Sequence, residues 1–235
     1  MKKRIRLLIC VLILIFIGTI CYLLHGYLSS QREKAELTEQ VRQHYEAKYD
    51  LYRKENASFE DYQVDVAFLG DSLTDGYDLQ TYFPQYVTAN RGIGGETTSG
   101  LKNRLDLSAY ALKPKVVVLL IGGNNLNTMF DDYEDILIGL RQNLPQTEIV
   151  ILSLTAMGRD WAYKNHLAAY NNVKIKALAE TYGCHYIDIF TPLLDPETDE
   201  IRAEYTNDGV HLTREGYLVL TNAITPVLSE LLSQT

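Results

Sequence analysis

From residue 64 onward the chain repeats one unit: a short apolar run rich in β-branched residues, followed by a stretch with helical spacing. The apolar runs fall at residues 64–69, 86–89, 116–121, 149–154 and 185–189. Helical stretches begin at Ser72 and then cover residues 97–107, 133–144, 163–182 and 213–232. Short, continuously apolar runs are the mark of strands buried on both faces, and parallel strands need crossovers long enough to hold a helix. The alternation therefore predicts an α/β fold with one five-stranded parallel sheet covered by helices on both faces. In such sheets ligands collect beyond the carboxyl ends of the strands. Ser72, Gly95 and Asn124 each fall just after an expected strand.

The 235 residues, 46% hydrophobic and 22% charged, give room for one globular domain of about 150–200 residues and exclude disorder. Residues 7–24 form an almost unbroken apolar run without a charge, preceded by Lys2, Lys3, Arg4 and Arg6. As a helix that run is about 27 Å long, close to bilayer thickness. The positive cluster predicts a single-pass membrane anchor with its tip in the cytoplasm and everything after Leu28 outside. A cleaved signal peptide, giving a secreted protein, is the rival reading. No convincing cleavage site follows the run, and Cys21 is preceded by Ile20 where a lipoprotein cysteine would need a small residue.

Beyond the basic tip the chain carries 18 basic against 30 acidic residues, a net charge of −12. That charge repels nucleic acid and anionic lipid surfaces, so no nucleic-acid partner is expected. Cys10 and Cys21 lie in the apolar run, leaving Cys184 alone outside it, with neither an intrachain disulfide nor a zinc cluster available. Between residues 31 and 62 the chain is charge-rich, with Leu37, Val41, Tyr45, Tyr49 and Tyr52 at spacings of four or three. This reads as an amphipathic helix whose apolar stripe docks on the domain or on a second copy. The expected organisation is an anchor over 1–28, a helical stalk over 29–62 and the globular domain over 63–235.

Four segments carry residues with chemistry. Gly70-Asp71-Ser72-Leu73-Thr74 leaves an apolar strand and enters a helix, so Ser72 is either an N-cap or a side chain exposed at the sheet's functional edge. Asn90-Arg91-Gly92-Ile93-Gly94-Gly95-Glu96-Thr97 is a glycine-rich loop. Its spacing breaks the dinucleotide pattern at Thr97, and no Gly-Lys-Ser/Thr follows, which disfavours a phosphate cradle. Glycines do allow backbone N–H groups to approach a substrate oxygen closely. Ile121-Gly122-Gly123-Asn124-Asn125 brings two amides to the end of the third strand, either as structural groups or as donors into a shared site. In Asp208-Gly209-Val210-His211 the acid three residues before the histidine can bond imidazole Nδ1, fix its tautomer and leave Nε2 free to take a proton.

Together these segments resemble the SGNH branch of the GDSL hydrolase family, whose four blocks supply serine, glycine, asparagine and histidine in this order. The likeness covers roughly residues 64–232. It implies a three-layer α/β/α, flavodoxin-like fold with Ser72 as nucleophile, His211 as general base and Asp208 orienting it. It further implies an oxyanion hole from the Ser72 and Gly95 backbone N–H groups and the Asn124 side-chain amide, with no metal and no organic cofactor. Many members have G-x-N-D where this chain has Gly122-Gly123-Asn124-Asn125. The G-x-N-N form is similar to platelet-activating-factor acetylhydrolase catalytic subunits and some carbohydrate esterases.

The function expected is hydrolysis of small acyl esters, above all O-acetyl groups, on an extracytoplasmic glycan or envelope component. A lipid esterase, an O-acyltransferase and a non-catalytic glycan-binding module are the alternatives. Residues 155–161 follow the fourth strand and hold the only tryptophan, so Arg159 and Trp161 are expected to shape the substrate pocket; the bland reading is a helix-entry loop.

Overall fold

The computed structural model describes residues 2–233, without the side chains of residues 2, 6–11 and 13–15. It divides into two compact units, Met1–Lys48 and Tyr49–Thr235. The described residues of the first are all helix, the greater part of α1 (Lys2–Asn56). Among the described residues no helix is long and apolar enough to cross a membrane. Of the anchor expected over residues 7–24, the side chains of 7–11 and 13–15 lie outside the described ones. Leu37 and Val41, from the expected docking stripe, are exposed, whereas Tyr52 in the second unit is fully buried.

The second unit begins with the last turns of α1 and continues through β1 (Val66–Gly70), α2 (Ser72–Asp75), α3 (Leu79–Tyr82), β2 (Thr88–Gly92) and α4 (Thr98–Asn103). After a single π-helical turn at Asp106–Tyr110 come β3 (Val116–Leu120), α5 (Phe130–Asn143), β4 (Glu148–Leu152), α6 (Asn165–Thr181) and β5 (His185–Ile187). A short helix α7 (Phe190–Leu193), a two-stranded hairpin β6 (Leu194–Asp195) and β7 (Glu200–Ile201), and α8 (Arg214–Leu232) complete it.

The five long strands form one parallel sheet in the order β2-β1-β3-β4-β5. Side chains alternate across each strand, so an uninterrupted apolar run feeds two cores at once. In β3, Val117 and Leu119 enter the core shared with α4, α5 and α6, while Val116, Val118 and Leu120 enter the one shared with α3 and α8. That is the three-layer α/β/α arrangement. Each such side chain contributes about 1.5–3 kcal/mol on burial, so the runs cannot slip by one residue without reversing both cores.

The second strand lies at Thr88–Gly92, two to three residues later than its apolar part suggests. Its polar half is held by specific partners. Asn90 donates to the Thr74 carbonyl at 2.7 Å. Arg91, with no exposed surface, ion-pairs with Glu55, donates to Asn56 at 3.0 Å and lies 4.6 Å from the centre of the Tyr52 ring. The end of α1 thus caps the sheet's edge strand with matched charge.

Candidate active site

Gly70 and Gly92 stand side by side at the carboxyl ends of β1 and β2. A Cβ at Gly92 would lie 2.1 Å from the Asp75 backbone nitrogen. The missing side chain is what lets α2 turn back across the sheet edge. Asp71, not Ser72, caps that helix, its carboxylate accepting from Leu73 N–H at 3.1 Å. The Ser72 hydroxyl is therefore unspent on capping, and Ser72 N–H, in the first helical position, has no intrahelical acceptor.

The histidine arrives on the loop before α8. Asp208 Oδ1 accepts the backbone N–H groups of Val210 and His211 at 2.9 and 2.8 Å, which folds the loop into a tight turn. Thr206 Oγ1 donates to the His211 carbonyl at 2.9 Å, and Gly158 N–H donates to the Gly209 carbonyl at 2.8 Å, fastening the loop to the segment after β4. Gly209 has φ +95°, and a Cβ there would lie 2.3 Å from the Gly158 carbonyl oxygen, so glycine is required. The turn aims the remaining oxygen, Asp208 Oδ2, at His211 Nδ1 at 2.6 Å, and places His211 Nε2 at 3.1 Å from Ser72 Oγ.

Hydrogen bonding to His211 holds the Asp208 carboxyl down to about 2, against the cost of its partial burial. An ionised carboxylate can only accept, so Nδ1 carries the proton and Nε2 presents a lone pair to the Ser72 hydroxyl. Asp71 behaves oppositely: burial pushes its carboxyl up to about 6, with the Leu73 amide and His211 opposing the rise.

Asn124 follows β3 in a turn begun by Gly122, whose φ is +120°. Its Nδ2 donates one hydrogen to the Glu96 carbonyl at 2.9 Å, leaving the second for another acceptor. That carbonyl belongs to the glycine-rich loop, which is anchored from beneath by a buried ion pair, Arg104 to Glu96 at 2.7 Å, both side chains 2% exposed. Arg104 also donates to the carbonyls of Arg91 and Gly70 at 2.9 and 3.0 Å, tying the ends of β2 and β1 to the loop. Gly95 lies in the same loop with φ +77°.

Ser72, Asp208, His211 and Asn124 line one hollow of ≈ 290 Å³, together with Trp161 and Met157. Gly95 and Arg159 are not among its lining residues. Arg159 is exposed with φ +54°, and its backbone N–H is held by Glu200 at 2.8 Å; the chain turns there, and Trp161, 43% exposed, lines the hollow instead. Lys164 also lines the hollow and was not anticipated. Nor were three buried asparagines of α6. Asn165 bonds Met157 at its N–H and carbonyl, Asn172 does the same for Leu154, and Asn171 donates to the Leu126 carbonyl, so one helix sets the loops that follow β4 and β3. Amides placed on an otherwise apolar helix face are the signal that could have found them.

No curated protein sequence matches the chain. Among solved structures it is similar to a Streptococcus pneumonia protein provisionally described as a platelet activating factor, at 28% identity and TM-score 0.73, covering 82% of this chain and 96% of that one. A GDSL-like lipase from Bacteroides thetaiotaomicron VPI-5482 shares the fold at 22% identity and TM-score 0.69, over 77% of this chain and 97% of that one. So does a variant of an acetyl xylan esterase from Geobacillus stearothermophilus, at 20% identity and TM-score 0.59, over 72% and 95%. The model of the GDSL-like lipase/acylhydrolase family matches residues 68–219, the stretch that runs from β1 into α8 and holds the whole hollow. The chain belongs to that family and is an ester-hydrolysing enzyme.

Proposed function

We propose that this enzyme is a membrane-anchored serine esterase that removes small acyl groups, chiefly O-acetyl, from an extracytoplasmic glycan through an acyl-Ser72 intermediate. The observation that carries the chemistry is the unbroken relay from Asp208 Oδ2 through His211 to Ser72 Oγ, at 2.6 and 3.1 Å. His211 Nε2 takes the hydroxyl proton as Ser72 Oγ attacks the ester carbonyl, and Asp208 stabilises the imidazolium that forms. The tetrahedral oxyanion is received by the second hydrogen of Asn124 Nδ2 and by the Ser72 backbone N–H, both on the wall of the hollow; the Gly95 N–H, which is not on that wall, is the third donor only if the loop brings it closer when substrate binds. His211 then protonates the leaving alcohol, activates water, and the acyl-enzyme is hydrolysed.

A hollow of ≈ 290 Å³ supports a small acyl group, since it sits at the lower end of the range of about 300–1,000 Å³ for ligand pockets. The charge-free run at residues 7–24 behind four basic residues supports the anchor and its outward orientation. The test is a hydrolysis screen of the full chain in detergent against nitrophenyl acetate, nitrophenyl octanoate and acetylated sugars, with Ser72→Ala as control. Acetyl esters should be preferred, and the activity should vanish with Ser72. Preference for octanoyl over acetyl esters would sink the acyl-group assignment.

A further inference from the structure

Lys164 belongs to two hollows at once. It lines the one with Ser72 and His211, and it lines a second of ≈ 460 Å³ with Asn125, Asn127, Thr128 and Tyr163; Asn124 is the other residue common to both. The Lys164 ammonium lies 4.3 Å from the Trp161 ring centre and 5.9 Å from that of Tyr163. Among the described residues no carboxylate forms an ion pair with it, which is equally true of Lys174 and Lys176; what distinguishes Lys164 is that it stands on the wall shared by the reactive hollow and the second one, where an anion from outside can reach it.

The second hollow has the chemistry of a sugar site. Its wall offers amide and hydroxyl side chains beside Leu126 and Leu167; Asn127 makes no side-chain hydrogen bond among the described residues, and Tyr163 on the same wall is exposed. Amides match the hydroxyl edge of a pyranose and aromatic faces match its C–H side. A long acyl chain would instead need a continuously apolar trough.

We infer that the second hollow binds the alcohol half of the ester as a saccharide bearing a carboxylate or phosphate, and that Lys164 recognises that anion. This rests on the esterase reading above and names its substrate class. The acidic background of the domain does not forbid it, because at physiological salt charges beyond about 8 Å are screened while a contact ion pair is not.

The test compares kcat/KM for a matched pair, a methyl O-acetyl-glucoside and the corresponding O-acetyl-glucuronide, in the full chain in detergent. The wild-type enzyme should favour the acidic sugar by roughly three- to five-fold through KM, the scale of a solvent-accessible ion pair. Near 1 M salt the ratio should fall toward one, since the screening length drops to about 3 Å. Lys164→Gln should bring the ratio to about one, Lys164→Glu below one, and Lys164→Arg should retain it. A wild-type ratio of one, or a preference that survives in Lys164→Gln, overturns the inference. So does a lysophospholipid that outcompetes both sugars in a Lys164-dependent way, which would assign the anion to a lipid headgroup. Ser72-dependent cleavage of nitrophenyl acetate with neither sugar accepted removes the subsite and leaves the esterase; no Ser72-dependent cleavage of any ester removes both.

Discussion

Asp71 and Asp208 stand on either side of the same serine–histidine pair, and their surroundings drive them in opposite directions. Asp208, held near 2 by its bond to His211, is ionised at every pH at which an esterase would be assayed. Asp208→Asn should therefore lower kcat by about 10²- to 10⁴-fold at neutral pH, since the amide neither fixes the same tautomer nor stabilises the imidazolium. A variant with unchanged kcat at neutral pH would contradict the assignment. Asn124→Ala, removing the proposed oxyanion donor, should cost about 10²- to 10³-fold in kcat with KM little changed. Asp71 carries a stability prediction instead. Burial raises its carboxyl to about 6, so between its ordinary value near 3.8 and that point the folded state binds more protons than the unfolded one. Its contribution is fully present below about 4 and is lost as pH rises through 6, a gap of about two pH units worth about 3 kcal/mol. His211 lowers and Glu96 raises that carboxyl through space, so the interval shifts if either is changed. Asp71→Asn keeps an oxygen for the Leu73 cap, and urea unfolding at pH 4.5 and 7.5 should show a flatter pH dependence than the wild type.

Among the elements, those whose burial is purely apolar were legible in the sequence, and those held by buried polar groups were displaced or hidden. The β1, β3 and β4 runs feed two cores and can be read from their β-branched content. The second strand was misplaced because Asn90 and Arg91 look like loop residues until Glu55, Asn56 and Tyr52 are brought against them. Three of the four segments were legible through residue type and order, since Ser72, Asn124, Asp208 and His211 all line the hollow, whereas Gly95 of the glycine-rich loop does not. Lys164 and the asparagines of α6 were not, because a lysine or asparagine on a helix becomes informative only when the opposing loop is known. The same logic applies to Arg104, which secures the ends of β1 and β2 and, through Glu96, the loop that carries the Asn124 acceptor. Arg104→Met removes the guanidinium from the buried Glu96 carboxylate and should cost about 3–5 kcal/mol in chemical unfolding. The double variant Arg104→Met with Glu96→Gln should recover a substantial part of it. If the single and double variants were equally unstable, the ion pair would not be what holds this loop.

At the scale of the whole molecule, the boundary of the folded unit at Tyr49 has a physical cause that the charge pattern of residues 31–62 does not reveal. Tyr52, Glu55 and Asn56 are part of the catalytic unit, because they enclose the guanidinium of a fully buried edge-strand arginine, and the Tyr52 hydroxyl donates to the Gly92 carbonyl at 2.7 Å. A chain that starts at Tyr49 keeps those partners; one that starts at Val64 leaves Arg91 with a charge and no counter-charge. The shorter chain should be less stable in urea unfolding than the longer one, since it loses the buried Tyr52 ring and the Glu55 and Asn56 partners of Arg91. It should also lose activity, since Gly92 is the glycine over which α2 and Ser72 turn. Arg91→Met separates charge from packing: in the Tyr49 chain it discards the ion pair with Glu55 and should be destabilising, whereas in the Val64 chain, where the enclosing residues are gone and water reaches the guanidinium, it should have little effect. Equal effects in both lengths would mean that the end of α1 contributes buried area alone, and that the match between Glu55 and Arg91 is incidental to where the domain begins.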